Sequence, residues 1–388
     1  MSSDHFPAAG QDRLAEPLDL GKRVMRNRIA QAPLSVSYGS PTGEVTAATI
    51  GHYARRAAGG AAMVMTENFA ISQSGRQLPR QCLISGPEFL DGLTELASAI
   101  HAHGALAVIQ IVHAGRYAGP WEQYEAARRL APSAVPFPLT ADRTVTPAEA
   151  THEELDQARQ DFVSAARLAR DAGFDGVHVH GAQGFLLSSF QAPRMNKRSD
   201  AYGGDFEGRT RLAREVVADI VDAVGDDMLV GYHLMSDEMM PGGWQPAEAA
   251  RLAHDLEEIG VDFIAPIPTT FESIREQVRL TGNDPTVFNA DVFRTISAAT
   301  GTPLFANGGL GSPVDARAVL EKGLADVIMQ GRPLLVDPDW SHKTLNGNED
   351  SIVVCPCDPA ATCKRTQLTG VVCHSWSEAD QAKGFVGI

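Results

Sequence analysis

The chain contains no apolar run near the roughly 18 residues that a membrane-spanning helix needs, so no membrane span is expected. Positive charge is also short. Against 48 Asp and Glu there are 33 Lys and Arg, a net charge of −15, which argues against nucleic acid or an anionic lipid surface as partner. Met1–Gly10 has no basic-then-apolar export signal, so residues 1–17 read as a disordered lead-in and the expected compartment is the reducing cytoplasm. No Gly-x-Gly-x-x-Gly follows a strand pattern, so dinucleotide binding in that manner is not expected. Cysteine is scarce, five residues in 388, yet four of them, Cys355, Cys357, Cys363 and Cys373, fall in one short stretch. Clustered thiols in a reducing compartment favour a metal over disulfides.

The rest of the chain alternates short β-rich runs with amphipathic helical stretches. The runs are Ile29–Leu34, Ala62–Glu67, Ala105–Ile111, Gly176–His180, Leu229–Leu234, Phe263–Ile267, Pro303–Asn307 and Val327–Gln330. Helical patterns fill Pro87–His103, His152–Ala172, Arg209–Val224, Pro246–Ile259 and Pro313–Glu321, with Leu155, Phe162, Ala165, Ala166 and Ala169 along one face of the second. Eight β/α units predict an α/β fold, a closed (β/α)8 TIM barrel over residues 18–340. A cysteine-rich extension, residues 341–388, follows it. The connection from Arg116 to Thr151, with Trp121, Pro132, Pro136 and Pro138, is long enough to read as a lid after the third strand.

Chemistry in this architecture sits at the C-terminal ends of the strands. Gly308-Gly309 after the seventh strand and Gly331-Arg332 after the eighth offer backbone amides and a guanidinium to a phosphate. Gln110, an amide with both donor and acceptor, suits the edge of a flat heterocycle. His180 and Gln183 follow the fourth strand. His178 is read as turned to the other side of that strand, as a packing residue.

On these stretches the chain resembles the Old Yellow Enzyme family of FMN-dependent oxidoreductases. The motifs are Asn27-Arg28-Ile29 with Ala32-Pro33, Tyr53-Ala54-Arg55-Arg56-Ala57, His113-Ala114-Gly115-Arg116 and, most specific, Asn196-Lys197-Arg198-Ser199-Asp200-Ala201-Tyr202-Gly203-Gly204 with Arg209 and Arg211. That last run is expected to act mainly as a hydrogen-bonded bracket. The resemblance implies that Ala32, Pro33, Ser35, Asn68 and Gln110 line the isoalloxazine, and that Asn307, Gly308, Gly309, Gly331 and Arg332 hold the FMN phosphate. The tail from Asp337 resembles the 2,4-dienoyl-CoA reductase and trimethylamine dehydrogenase branch, whose barrel carries a 4Fe–4S cluster just after it. By that likeness the four clustered cysteines hold 4Fe–4S, with zinc the lesser alternative.

Four departures shape the functional expectation. The cysteine spacing is C-x-C-x5-C-x9-C rather than roughly C-x2-C-x3-C-x11-C. The branch's fused dinucleotide-binding domains find no counterpart, so a separate electron donor or acceptor protein is expected. Where the family places a proton-donating Tyr, the chain has Phe185, leaving Tyr38, Tyr117 and His113 as conceivable substitutes. Where the family places an Arg on the fifth strand, beside flavin N1, the chain has His233, which could be cationic or neutral. The expected activity is hydride transfer between FMN and a small organic substrate, as reduction of an activated C=C bond or the reverse dehydrogenation. The alternatives are an electron-transfer subunit or a catalytically retired barrel with structural zinc. Association into homo-oligomers is also expected to be open to such a barrel.

Overall fold

The computed structural model describes residues 12–119, 128–140, 143–281, 286–356, 364–366 and 370–383. Eight parallel strands form one sheet: β1 (Ile29–Gln31), β2 (Met63–Ala70), β3 (Leu106–Val112), β4 (Gly176–Gly181), β5 (Leu229–Met235), β6 (Phe263–Ile267), β7 (Phe305–Ala306) and β8 (Val327–Gln330). Their spatial order is β6-β5-β4-β3-β2-β1-β8-β7. The sheet closes through a parallel bridge between Ile264 and Leu304, where the Ile264 N–H donates to Pro303 O at 2.9 Å. The (β/α)8 barrel expected from the alternating pattern is therefore the observed fold.

Each strand is followed by a helix on the outside: α1 (Ala47–Ala58), α2 (Leu90–His101), α3 (His152–Asp171), α4 (Phe206–Val224), α5 (Pro246–Ile259), α6 (Ala290–Ser297), α7 (Pro313–Glu321) and α8 (Trp340–Leu345). Local chemistry fixes their starts. Thr151 accepts from Glu154 N while Glu154 answers to the Thr151 N–H, a reciprocal cap that satisfies two orphan donors of α3. Asp205 caps α4, and Pro246 opens α5 at a position where its missing N–H costs nothing.

The barrel interior is filled in layers. Met63, Met65, Val108, Phe263 and Phe305 pack at its lower level, where Gly231 leaves the room that the Phe263 ring occupies. Leu20 and Met25, from a small N-terminal hairpin (Leu18–Asp19 with Val24–Met25), join the same cluster and plug the bottom. The top, where the strands end, is polar.

The insertion after β3 carries two small sheets. Leu130–Ala131 pairs with Ala148–Glu149, and Phe137–Thr140 forms a hairpin with Arg143–Val145. The Asn196–Gly204 run brackets its base: Arg198 donates to Pro132 O and Ala150 O, Lys197 N to Ser133 Oγ, and Asn196 to Phe190 O and Tyr202 O. Trp121 lies outside the described residues. No described helix is long and apolar enough to cross a membrane.

Candidate active site

Register brings four polar side chains to the barrel mouth. Gln110 on β3 pairs with His178 on β4, and His180 on β4 pairs with His233 on β5. The Gln110 amide nitrogen lies 3.1 Å from both His178 Nδ1 and His233 Nδ1. An amide nitrogen only donates, so both Nδ1 atoms accept. The rings of His178 and His233 stack at 5.0 Å, and His180 lies 4.9 Å from His233. His178 thus belongs to the site. Residues two apart on a strand share a face, so the expectation that His178 turns away from His180 fails on the period of the strand itself.

All three imidazoles are buried and held neutral. Burial pushes His233 down to about 3. Burial and the neighbouring imidazoles hold His178 and His180 well below the usual histidine value. The expectation that His233 could be cationic or neutral resolves to neutral here. His233 Nε2 is buried with no hydrogen-bond partner. A buried donor left unpaired costs about 1–3 kcal/mol, so its persistence points to a group that completes it.

Gln183 sits at φ 59° at the end of the β4 turn, and its side chain hydrogen-bonds His180. Phe185 closes this corner edge-on, 4.7 Å from the His180 ring. Behind it stand Tyr117 and Phe271, with Phe137 of the insertion's hairpin 5.1 Å from Tyr117. Beneath the insertion runs a chain of charges from four different segments. Arg116 lies 3.2 Å from Glu272, and Arg194 lies 2.7 Å from Glu272 and 2.6 Å from Glu238, which is fully buried. Of these, only Arg116 carried a sequence signal.

Of the substitutes for the missing phenol, Tyr38 is committed elsewhere, while Tyr117 and His113 are buried near the mouth. Tyr38 donates to Val371 O at 2.6 Å, and burial raises its hydroxyl above the usual range. Burial, with Glu272 beside it, raises the Tyr117 hydroxyl too, and that oxygen has no hydrogen-bond partner among the described residues. His113 accepts from the Gly115 N–H and is pushed down to about 4 by burial.

The remaining expected flavin residues surround the same mouth. Asn68 lies beside Gln110 in register, its side-chain oxygen accepting from Gln81 at 3.0 Å. A bulge between Met65 and Asn68 re-aims Glu67, whose carboxylate accepts from the Val36 and Ser37 amides and so sets the loop of Pro33 and Ser35. That loop stays half-buried, and the Ala32 N–H donates to Gln330 O next to Gly331. At the neighbouring strand end, Asn307 donates to Pro266 O. Gly308 has φ 92°, and a Cβ there would stand 2.1 Å from Thr286 O, so only glycine fits. Gly308 and Gly309 line a cleft of about 340 Å³ with Arg294 and Lys322 on its wall, whereas Gly331 and Arg332 do not line that cleft.

The C-terminal segment folds back on this end of the barrel. Val371 N donates to Val36 O, and Trp376 Nε1 donates to Leu335 O, which also accepts from Arg56. Cys373 is buried and Cys355 half-buried. Cys357 and Cys363 lie outside the described residues, and among the described residues no group of three or more His, Cys, Asp or Glu could hold a metal.

A parallel barrel whose strand ends carry glycine turns and a neutral hydrogen-bonding mouth is the architecture of a barrel enzyme with its site at the strand ends. The sequence places it further: residues 13–351 match the NADH:flavin oxidoreductase / NADH oxidase family, and the chain belongs to it. It is 33% identical over 356 residues to an NADH oxidase of Thermoanaerobacter brockii, covering 90% of this chain and 52% of that protein. It is 32% identical to an NADPH dehydrogenase of Halalkalibacterium halodurans, covering 82% and 90% of the two. The solved 2-naphthoyl-CoA reductase superposes with a TM-score of 0.81 at 26% identity, covering 89% and 54%. The chain spans about half the length of the NADH oxidase and of a metal reductase from Desulforamulus reducens that it also matches.

The residues fit the FMN that the family implies. His233 offers an unpaired buried nitrogen and Gln110 an amide at the same level.

Proposed function

We propose that the protein transfers hydride between FMN and a small or medium organic substrate bearing a carbonyl, reducing an activated C=C bond or running the reverse dehydrogenation. The observation that carries this reading is the pair His180 and Gln183, hydrogen-bonded to each other at the rim of the mouth and backed by aromatic rings. When bound, FMN supplies the hydride acceptor and donor. The protein's part is to position and polarise. Neutral His180 and the Gln183 amide donate hydrogen bonds to the substrate oxygen, where negative charge develops as the hydride arrives. Phe185, Tyr117, Phe137 and Phe271 provide an apolar wall that excludes water and strengthens those bonds. The insertion, pinned through Arg116 to Glu272, acts as the lid over this corner.

Cys355, Cys357, Cys363 and Cys373 would hold a 4Fe–4S cluster, which would supply electron exchange with a separate donor or acceptor protein. What supports this is the setting of Cys373, buried within electrostatic reach of the Arg56 guanidinium, whose donors go to backbone carbonyls. Anaerobically purified protein is expected to show flavin bands that a cyclic enone perturbs and that an enone reoxidises after reduction. Iron and acid-labile sulfide should accompany the flavin and vanish in Cys373→Ser. A protein that cannot be loaded with FMN, or whose reduced flavin no enone or unsaturated acid reoxidises, would overturn the hydride-transfer reading. Zinc without sulfide would overturn the cluster.

A further inference from the structure

His233 stands at the barrel mouth, with an unpaired buried nitrogen on one side and an adaptable amide on the other. Among the described residues that face it, none carries a fixed charge. Gln110 faces it from β3, His178 and His180 from β4, and Ala265 pairs with it from β6. The nearest described carboxylate on the inner strands, Glu67 on β2, is turned away to the Val36 and Ser37 amides. The charged chain under the insertion is internally paired, Arg116 and Arg194 with Glu272 and Glu238.

We propose that His233 takes up a proton when the flavin is reduced, so that the site gains charge balance only in its reduced state. The proposal rests on the reading that FMN lies against this mouth. A C–H bond of a dihydronicotinamide, or of another hydride donor, breaks and the flavin N5–H bond forms. The donor leaves as a cation, and the flavin gains two electrons, one proton and one negative charge. One further proton from water goes to His233 Nδ1, giving an imidazolium.

The structure supplies what that proton needs. In the oxidised state Nδ1 accepts from the Gln110 amide nitrogen, so the mobile proton sits on Nε2, the unpaired atom. On protonation Nδ1–H requires an acceptor, and rotation of the Gln110 amide presents its carbonyl oxygen there. His178, held by the same amide, has a second tautomer available and can follow the rotation. A fixed arginine at this position would hold its charge in both redox states. The neutral histidine instead ties the charge to the electrons. Burial, which favours the neutral imidazole, opposes uptake until the flavin's own charge arrives.

The test is the proton count of the FMN-loaded protein. Spectroelectrochemical titration with dithionite as reductant across neutral pH should give two protons per two electrons. With about 30 mV for each tenfold change in a two-electron equilibrium, that is a slope of about 60 mV per pH unit. His233→Asn and His233→Arg should each halve that slope, and Arg should also raise the potential. A wild-type slope of about 30 mV per pH unit would overturn the proposal. So would an undiminished slope in His233→Asn, because the second proton would then sit on the flavin itself. If the variants do not fold, ¹⁵N-histidine spectra of the wild-type protein decide: an imidazolium signal appearing on reduction supports it, and its absence refutes it. Flavin content, read from absorbance before titration, separates a failure of FMN binding from a failure of proton uptake.

Discussion

Restoring a phenol at the rim of the mouth tests the substrate corner most directly. Phe185 is buried, with its ring edge-on to His180 at 4.7 Å and flanked by Phe271 at 5.5 Å. Phe185→Tyr adds a single hydroxyl without changing the ring's place. A positioned general acid contributes about 10²–10⁴-fold, which is about 3–5 kcal/mol of barrier at 1.36 kcal/mol per decade. Against this stands the cost of burying a hydroxyl that lacks a full set of partners, about 1–3 kcal/mol of folding stability. A domain of ordinary stability, about 5–15 kcal/mol, tolerates that loss. The variant should therefore melt a few degrees lower yet reoxidise its reduced flavin with a cyclic enone at least about tenfold faster, a conservative share of the general-acid range. Stopped-flow reoxidation of the reduced, FMN-loaded protein measures this, and a solvent isotope effect should appear with the gain. Unchanged rates in a folded variant that still binds the enone would refute the reasoning, because the proton would then already arrive by a route that Phe185 does not block.

Other consequences are as direct. Arg194→Met leaves Glu238 and Glu272 facing each other without their shared cation, and removing one partner of such a buried pair costs about 3–5 kcal/mol, readable as a lowered urea midpoint. Gly308→Ala meets Thr286 O and a left-handed backbone together, so FMN affinity measured by flavin fluorescence should fall along with the melting temperature. Acid should destabilise the flavin-free protein early. His113 and His233 are pushed from the usual 6.5 down to about 4 and about 3, so the unfolded chain binds protons that the folded one refuses. Stability is complete above pH 6.5 and falls as pH drops toward 4, by about 1.4 kcal/mol per unit for each group, and a flat urea midpoint over that window would refute it.

What the sequence showed and what it hid divide along the range of the interactions. The barrel was legible because β-branched runs and helical stripes are local, and all eight strands appear where those runs lie, with β2 extended to Ala70 and β7 reduced to Phe305–Ala306. α1 went unread although its residues were noted as a motif, and the hairpin of Phe137–Thr140 was masked by Pro136 and Pro138, which argue against a strand. Gln110 was singled out correctly as a polar group at a strand end, but its partners were not readable, because His178 and His233 meet it only through the register of three strands. The same holds for Glu272, which lies far from Arg116 in sequence yet pairs with it directly, and for Glu238, which joins them by way of Arg194. The neutrality of His233 follows from burial among uncharged neighbours, a property of the assembled mouth and of no single stretch of chain. A residue type at a strand end therefore announces that chemistry happens there. The charge state that decides which chemistry is set by what the other strands bring to the same layer.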